Sequence, residues 1–436
     1  MFTVSKDTKL DEKLIAQAIE YNEEEKKIHE WDLLSKYYVG IQRILDRDKP
    51  DFISNNKVVI NHAQYITDSF VGYMLGNPCE WVTTEDQDIS VVLDEFKKQD
   101  IASFDVLLAT KISILGSGYE LVYTSGNDVK STYIDPRNAV CVYDNTVEHN
   151  LLYGITYGDD FFTSEKETEI KVYDKENVYT YTSIDKKITL KEEDKHGFDN
   201  IPLIRYKNND EELGDFQQVI SLIDAYNLLQ SDRINDKEQL VEAILVGYGV
   251  TLEEDDMEAL RANRTMFGLN PDSKVEYLTK TFDENNLDIL RKNIENDIHK
   301  ISRVPDMNDE NFIGNLSGVA LRYKLLPFEQ ATKNKERYFE KGLKTRFSLY
   351  NGYLAKLNKI SIIPIVDVDV EFKNYLPQNI LELTQIINNL DGFVDREKLV
   401  SLLPFVRNAK ETLDKVDQEN LDSSTIEEPN FGEDNP

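Results

Sequence analysis

Residues 283–326 read DENNLDILRKNIENDIHKISRVPDMNDENFIGNLSGVALRYKLL, and the fold turns on how this stretch divides. Leu287, Leu290, Ile294, Ile298 and Ile301 recur every three or four residues, which makes one apolar stripe on an α-helix. From Asp283 to Arg303 such a helix would be a rod of roughly 30 Å. Pro305 ends it, because proline disfavours helical geometry in the preceding residue and donates no backbone hydrogen bond. The next fourteen residues, 305–318, hold Asp306, Asp309 and Glu310 but no Lys or Arg. Gly314 and Gly318 permit positive φ there, so the stretch reads as a mobile loop. Helical spacing resumes at Val319 and runs through Leu321, Leu325, Phe328, Ala331, Tyr338, Phe339, Leu343, Phe347, Tyr350 and Leu354. Pro327 inside it predicts a kink.

The chain has 436 residues, more than one compact core usually fills, so two or more substructures are expected. No apolar run is long enough to span a bilayer, and the N-terminus lacks the apolar core of a signal peptide, so no membrane association is expected. Cys79 and Cys141 have neither a second pair nor a nearby His at metal-ligand spacing, and no metal or cofactor is expected. With 81 acidic residues against 50 basic ones the net charge is −31. Such a surface repels a polyanion, which argues against a sequence-specific DNA reader. It suits a conduit, where each Lys or Arg bonded to a phosphate would add affinity and hence drag. Surplus acid can equally serve solubility alone.

Working outward, residues 1–34 read as one charged helix with Leu10, Leu14, Ala18 and Ile19 on its weak apolar face. Val58, Val59 and Ile60 lead into a helix through Tyr65, Ile66, Phe70, Val71 and Met74, closed by Gly76, Asn77 and Pro78. A further helix covers Ile89–Leu115. Gly116-Ser117-Gly118 looks like a nucleotide loop, but position 121 is Leu where the dinucleotide fingerprint needs glycine, so it reads as a turn. From Tyr119 to about Arg205 the period becomes two, with strands at 119–123, 139–143, 151–157, 169–173, 178–182 and 188–190. The tyrosines concentrated there fit half-buried sheet better than base stacking, since no Lys or Arg interleaves them.

Asp215 is placed to cap a helix whose stripe runs from Phe216 to Tyr248. Val366-Asp-Val-Asp-Val-Glu-Phe372 lies in a strand run, 360–372, with Asp367, Asp369 and Glu371 on one face and the apolar residues on the other. Those carboxylates could hold Mg²⁺ for a nuclease, or form one wet sheet face. Helices follow from Pro377 to Leu390, after Asp395, and on to about Asn420.

Three stretches in this order, 55–79, 215–240 and 301–326, resemble the portal proteins of siphophage-type tailed bacteriophages. The resemblance implies an α+β fold with a wing of N-terminal helices and antiparallel sheet over 1–214 and a wing-to-stem helix over 215–248. After these it implies an α/β clip over 249–282, a second stem helix over 283–304 and a tunnel loop over 305–318. A long kinked helix and wing strand over 319–375 and a helical crown over 376–420 complete it, before a disordered acidic tail over 421–436. It further implies a dodecameric homo-oligomer at one capsid vertex, assembled in the host bacterial cytoplasm and kept in the virion, through which double-stranded DNA passes non-specifically. The implied partners are the terminase large subunit, a head–tail adaptor, and the major capsid and scaffolding proteins.

On that resemblance Asp306, Met307, Asn308, Asp309, Glu310, Asn311, Phe312, Gly314 and Gly318 would face DNA. The clip residues Glu253, Glu254, Asp255, Asp256, Arg261 and Arg264 would meet terminase or adaptor. The clip carries seven acidic and four basic residues over 249–282, which disfavours a helix-turn-helix DNA reader. The long helix is basic, with Arg322, Lys324, Lys333, Lys335, Arg337, Lys341, Lys344 and Arg346. Arg322, Lys333, Arg337 and Lys341 would touch either DNA or the acidic surface of a neighbouring subunit, and an acidic ring needs such complementarity to assemble.

Catalysis has little to use. His29, His62, His149, His196 and His299 are scattered singly, and no nucleophile motif or phosphate loop occurs. A different virion ring, such as a head–tail adaptor, is the alternative structural reading, and the Asp367/Asp369/Glu371 nuclease the alternative enzymatic one.

Overall fold

The computed structural model describes residues 1–50, 53–83, 87–159, 167–184, 187–241, 244–248, 274–278, 284–307, 318–374, 380–403, 406 and 409–424. Helices and sheets are mixed, as the α+β expectation requires. One compact unit comprises residues 1–314 and 323–374, and a second comprises 315–322 and 375–436.

In the first unit, strands β1 (Phe2–Val4), β5 (Ala139–Asp144), β6 (Leu151–Asp159), β7 (Glu167–Tyr173), β8 (Asn177–Ile184) and β9 (Lys187–Lys195) form a six-stranded sheet in the order β1-β5-β6-β7-β8-β9. Only the β1–β5 pair is parallel. Helix α1 (Glu12–Ile28) covers one face, burying Leu14, Ile15 and Ala18 against Val140, Val142, Ile155, Ile170 and Val172. Tyr119, Cys141, Tyr173 and Leu203 fill a second cluster. Tyr119, Tyr173 and Tyr181 are buried, in keeping with tyrosine as sheet packing.

Strands β3 (Ser117–Ser125), β4 (Asp128–Ile134) and β10 (Leu203–Lys207) make an antiparallel sheet in the order β10-β3-β4. Gly126, at φ +64°, forms the two-residue turn with Asn127 that joins β3 to β4. The largest core lies among this sheet, helices α3 (His62–Leu75), α4 (Ser90–Lys98) and α5 (Ile101–Leu115), and the long helix α8 (Gly318–Lys356). Gly342 lets the Tyr206 ring reach α8, since a Cβ there would stand 2.1 Å from a ring atom.

Several expected elements are redrawn. Residues 1–34 are not one helix: β1 and α1 come first, and Glu30 at φ +52° breaks the path to α2 (Trp31–Tyr38). Asp100 at φ +50° splits 89–115 into α4 and α5 in the same way. A single left-handed residue turns the chain while leaving the apolar spacing on either side intact, so periodicity alone does not register it.

The helix expected to reach Tyr248 is α6 (Ile220–Val241), after which β11 (Ile244–Tyr248) pairs antiparallel with β12 (Lys274–Leu278). The aliphatic run from Ile244 to Val246 suits a strand once a partner exists. Asp215 caps no helix, because its carboxylate is taken by Asn208 and Lys335. The strand expected over 360–372 shortens to β13 (Val368–Glu371), paired with β2 (Glu80–Thr83), and Val366 lies outside it at 78% exposure.

The second unit holds helices α9 (Ile380–Leu390), α10 (Arg396–Ser401) and α11 (Ala409–Ser424). Asp395 caps α10, accepting the Glu397 N–H at 3.4 Å. Helix α11 runs to Ser424, four residues into the tail expected over 421–436, and 425–436 lie outside the described residues.

Candidate functional site

Helix α7 (Glu284–Ser302) packs antiparallel to α6. Lys237 meets Glu284 at 3.1 Å, while Tyr226 donates to Glu295 at 3.3 Å and Arg291 pairs with Glu295 at 2.7 Å. The expected apolar stripe is therefore only part of the contact. Ile298 is fully buried and Leu287 and Ile294 half-buried, but Leu290 and Ile301 are each 47% exposed. Arg291 and Glu295 stand beside that stripe, and their four-residue spacing was the sequence signal for the pair.

The opposite side of α6 binds an irregular strap. Its Asn227, Ser231 and Asn235 accept the backbone N–H groups of Ile60 (2.9 Å), Val58 (3.0 Å) and Asn56 (2.7 Å). Four helical residues rise about 6 Å and two extended residues about 6.7 Å, so side chains at i, i+4 and i+8 can meet every second N–H of an extended chain. All three acceptors are buried. Ion pairs flank the ladder, with Asp224 on Arg43 at 3.1 Å and Asp232 on Arg47 at 2.6 Å.

At the C-terminal end of α7 the chain turns sharply. Arg303 adopts φ +63°, and His299 Nδ1 lies 3.0 Å from the Val304 carbonyl. The His299 ring stands edge-on to Tyr65 (5.7 Å) and His62 (5.8 Å), and His62 is edge-on to Tyr226 (4.9 Å). Two histidines that are isolated in sequence thus meet in space. Burial, with His299 close by, pushes His62 down to about 4, and its Nε2 is buried without a hydrogen-bond partner.

Of the expected loop residues, Asp306 is half-buried and interacts with its surroundings, and Met307 is 53% exposed. Asn308, Asp309, Glu310, Asn311, Phe312 and Gly314 lie outside the described residues, and Gly318 opens α8. Glu253, Glu254, Asp255, Asp256, Arg261 and Arg264 also lie outside them, as does the side chain of Arg322.

The basic face of α8 divides. Lys335 turns inward, 2.5 Å from Asp215 and 2.7 Å from Ser113 Oγ, with its ammonium 4.7 Å above the Phe70 ring. Burial draws its pKa down and Asp215 opposes the fall. Arg346 is fully buried between Asp105 (2.6 Å) and Glu120 (2.7 Å). Lys344 bridges Glu340 and Asp369, each at 2.9 Å. These three pair with acids of their own chain, so only part of the basic helix is left for contacts beyond it. Arg337 and Lys341 are exposed one turn apart, and exposed Lys333 pairs with Glu336 at 2.8 Å.

The supposed metal triad does not converge. Asp369 is on Lys344, Asp367 accepts from Gln87 Nε2 at 3.1 Å, and Glu371 is exposed. Among the described residues no group of three His, Cys, Asp or Glu could hold a metal ion.

A family model described as phage portal protein, SPP1 Gp6-like, matches residues 17–425. The portal protein of Bacillus phage SPP1 is 21% identical over 406 residues, spanning 88% of this chain and 79% of that protein. A chain in the structure of the neck of an empty GTA particle, computed with C6 symmetry, superposes at a TM-score of 0.47 with 12% identity, covering 78% of this chain and 89% of that one. The match of a single family from residue 17 to residue 425 takes in both structural units and the acidic segment between helices α7 and α8, and this chain belongs to the phage portal protein family.

Proposed function

We propose that copies of this chain close into a ring, dodecameric by its resemblance to siphophage portals, at one capsid vertex of a virion. The ring is the passage for DNA driven in by terminase, the route of DNA exit, and the platform on which head–tail connector proteins dock. The observation that carries this reading is the family match over 17–425 together with the order helix, acidic segment, long helix. In this assignment α6 and α7 are the stem, 249–282 with β11 and β12 the clip, the sheets and N-terminal helices the wing, and α9 to α11 the crown.

Asp306, Asp309 and Glu310, repeated around the ring, keep the duplex off the wall by like-charge repulsion, so the DNA moves without strong phosphate contacts. The protein supplies the passage and terminase hydrolyses ATP. Arg337 and Lys341, exposed along α8, meet acidic surface on the neighbouring subunit.

Negative-stain images of the purified chain should show annular particles. In a packaging assay with the cognate terminase, Asp309→Lys/Glu310→Lys should stall DNA uptake in intact rings. Packaging at the unmodified rate by that double variant would sink the channel assignment.

A further inference from the structure

Just beyond α7, one phenolic oxygen holds two backbone groups. Tyr65, on α3, donates to the Pro305 carbonyl at 2.9 Å, and its oxygen accepts the Met307 N–H at 3.3 Å. A phenol has one hydrogen to give and lone pairs to receive, so both bonds form together. The two backbone groups are two residues apart, as on one edge of an extended strand.

Further side-chain bonds at this turn are local. Ser302 Oγ donates to His299 O at 3.3 Å and accepts the Val304 N–H at 3.4 Å, and His299 Nδ1 lies on Val304 O. Tyr65, by contrast, ties the turn to a different helix. Its ring is held in place by the edge contact with His299, which in turn meets His62, three residues before Tyr65 on α3.

The anchoring helix is itself well seated. Ala63 and Ile66 are fully buried, and the Phe70 ring lies 4.9 Å from that of Phe328 on the long helix, tilted by 35°. A pull on the chain at Met307 would otherwise fall on the last turn of α7, where four carbonyls lack intrahelical partners and fraying begins.

We propose that Tyr65 is a positioning residue for the acidic segment, fixing where and in which direction the chain leaves α7 and passing load from that segment to α3. This rests on the reading of 305–318 as the channel-facing segment. The hydroxyl carries the role, and the ring is its mount.

Tyr65→Phe keeps the ring and removes both bonds, and it can be compared with the unmodified full-length ring by amide hydrogen exchange, thermal unfolding and packaging. The expected result is exchange at the Met307 amide about tenfold faster, unchanged exchange in 290–298, a thermal midpoint within a few degrees, and packaging slowed several-fold. Unchanged exchange at Met307 would overturn the anchor. Faster exchange throughout α7 with a large fall in midpoint would reduce Tyr65 to a packing residue and overturn it equally. Faster exchange at Met307 with packaging at the normal rate would overturn the positioning role. The channel reading is judged separately, by Asp309→Lys/Glu310→Lys, so the two can fail independently.

Discussion

The Arg346 guanidinium lies 2.6 Å from Asp105 and is fully buried, joining the long helix to α5 through a buried charge pair. Its Nε also meets Glu120 at 2.7 Å, and Tyr206 donates to the other Glu120 oxygen at 2.6 Å. One cation therefore answers two buried carboxylates. Replacing Arg346 by Ala would strand both acids, and a loss of about 3–5 kcal/mol is expected. Urea unfolding followed by near-ultraviolet circular dichroism measures it; a loss below about 1 kcal/mol would contradict the pairing.

Asp105 gives this cluster a pH signature. Burial raises its pKa from 3.8 to about 6 against the pull of Arg346, with Glu120 adding to the rise. Its folded value lies above its unfolded one, so the native state holds an extra proton between about pH 4 and pH 6. The stabilisation from this group is complete below about pH 4 and is lost as pH rises through 6. Asp105→Asn, neutral throughout, should remove that component from the thermal midpoint measured across pH 4–7.

His62 works in the opposite direction. Its pKa is pushed down from 6.5 to about 4, chiefly by burial. The unfolded chain therefore takes up a proton first, and the stability contributed above about pH 6.5 drains away as pH falls to 4. His62→Phe keeps an aromatic edge against Tyr226 and His299 without a titrating nitrogen. Between pH 6.5 and 4 the variant should lose less stability than the parent, and an identical slope would exclude His62 as the source.

The polar ladder on α6 predicts a local effect. Asn227→Ala removes the acceptor of the Ile60 N–H and the donor to Gln42, leaving buried polar groups unmatched. A cost of about 1–3 kcal/mol is expected. Hydrogen exchange at Ile60 should quicken more than at any amide of α5.

Two glycines in helices should respond with opposite sign. Gly72→Ala places its methyl in open space and should stabilise by about 0.4–1 kcal/mol through the unfolded state. Gly342→Ala drives a methyl into the Tyr206 ring and should lower the thermal midpoint by several degrees or abolish soluble expression. Equal effects at the two sites would refute the close approach of Tyr206 to α8.

Much of this was open to reading from residue order alone. The spacing from Leu287 to Ile301 and the proline at 305 located α7 and its end, the resumed period at 319 located α8 to within a residue, and alternation after Tyr119 located most of the wide sheet. Such features are local, because a helix face, a proline or a two-residue turn is set by neighbours within about one turn of chain. The left-handed breaks at Glu30 and Asp100 escaped notice because a single residue's φ leaves the flanking pattern unchanged.

Tertiary structure alone decided which charges and polar groups are spent inside the molecule. Lys335 and Arg346 share a helical face with Phe328 and Phe339, opposite Lys333 and Arg337, but only the fold brings them their acids, Asp215 on the one and Asp105 and Glu120 on the other, while Arg337 and Lys341 stay exposed. Asn227, Ser231 and Asn235 find their partners only when 56–60 lies along them, and His62 and His299 become neighbours only when α3 meets α7. The physical reason is that apolar burial follows a period written in the sequence, whereas a buried polar group must find a specific partner, and that partner can lie hundreds of residues away.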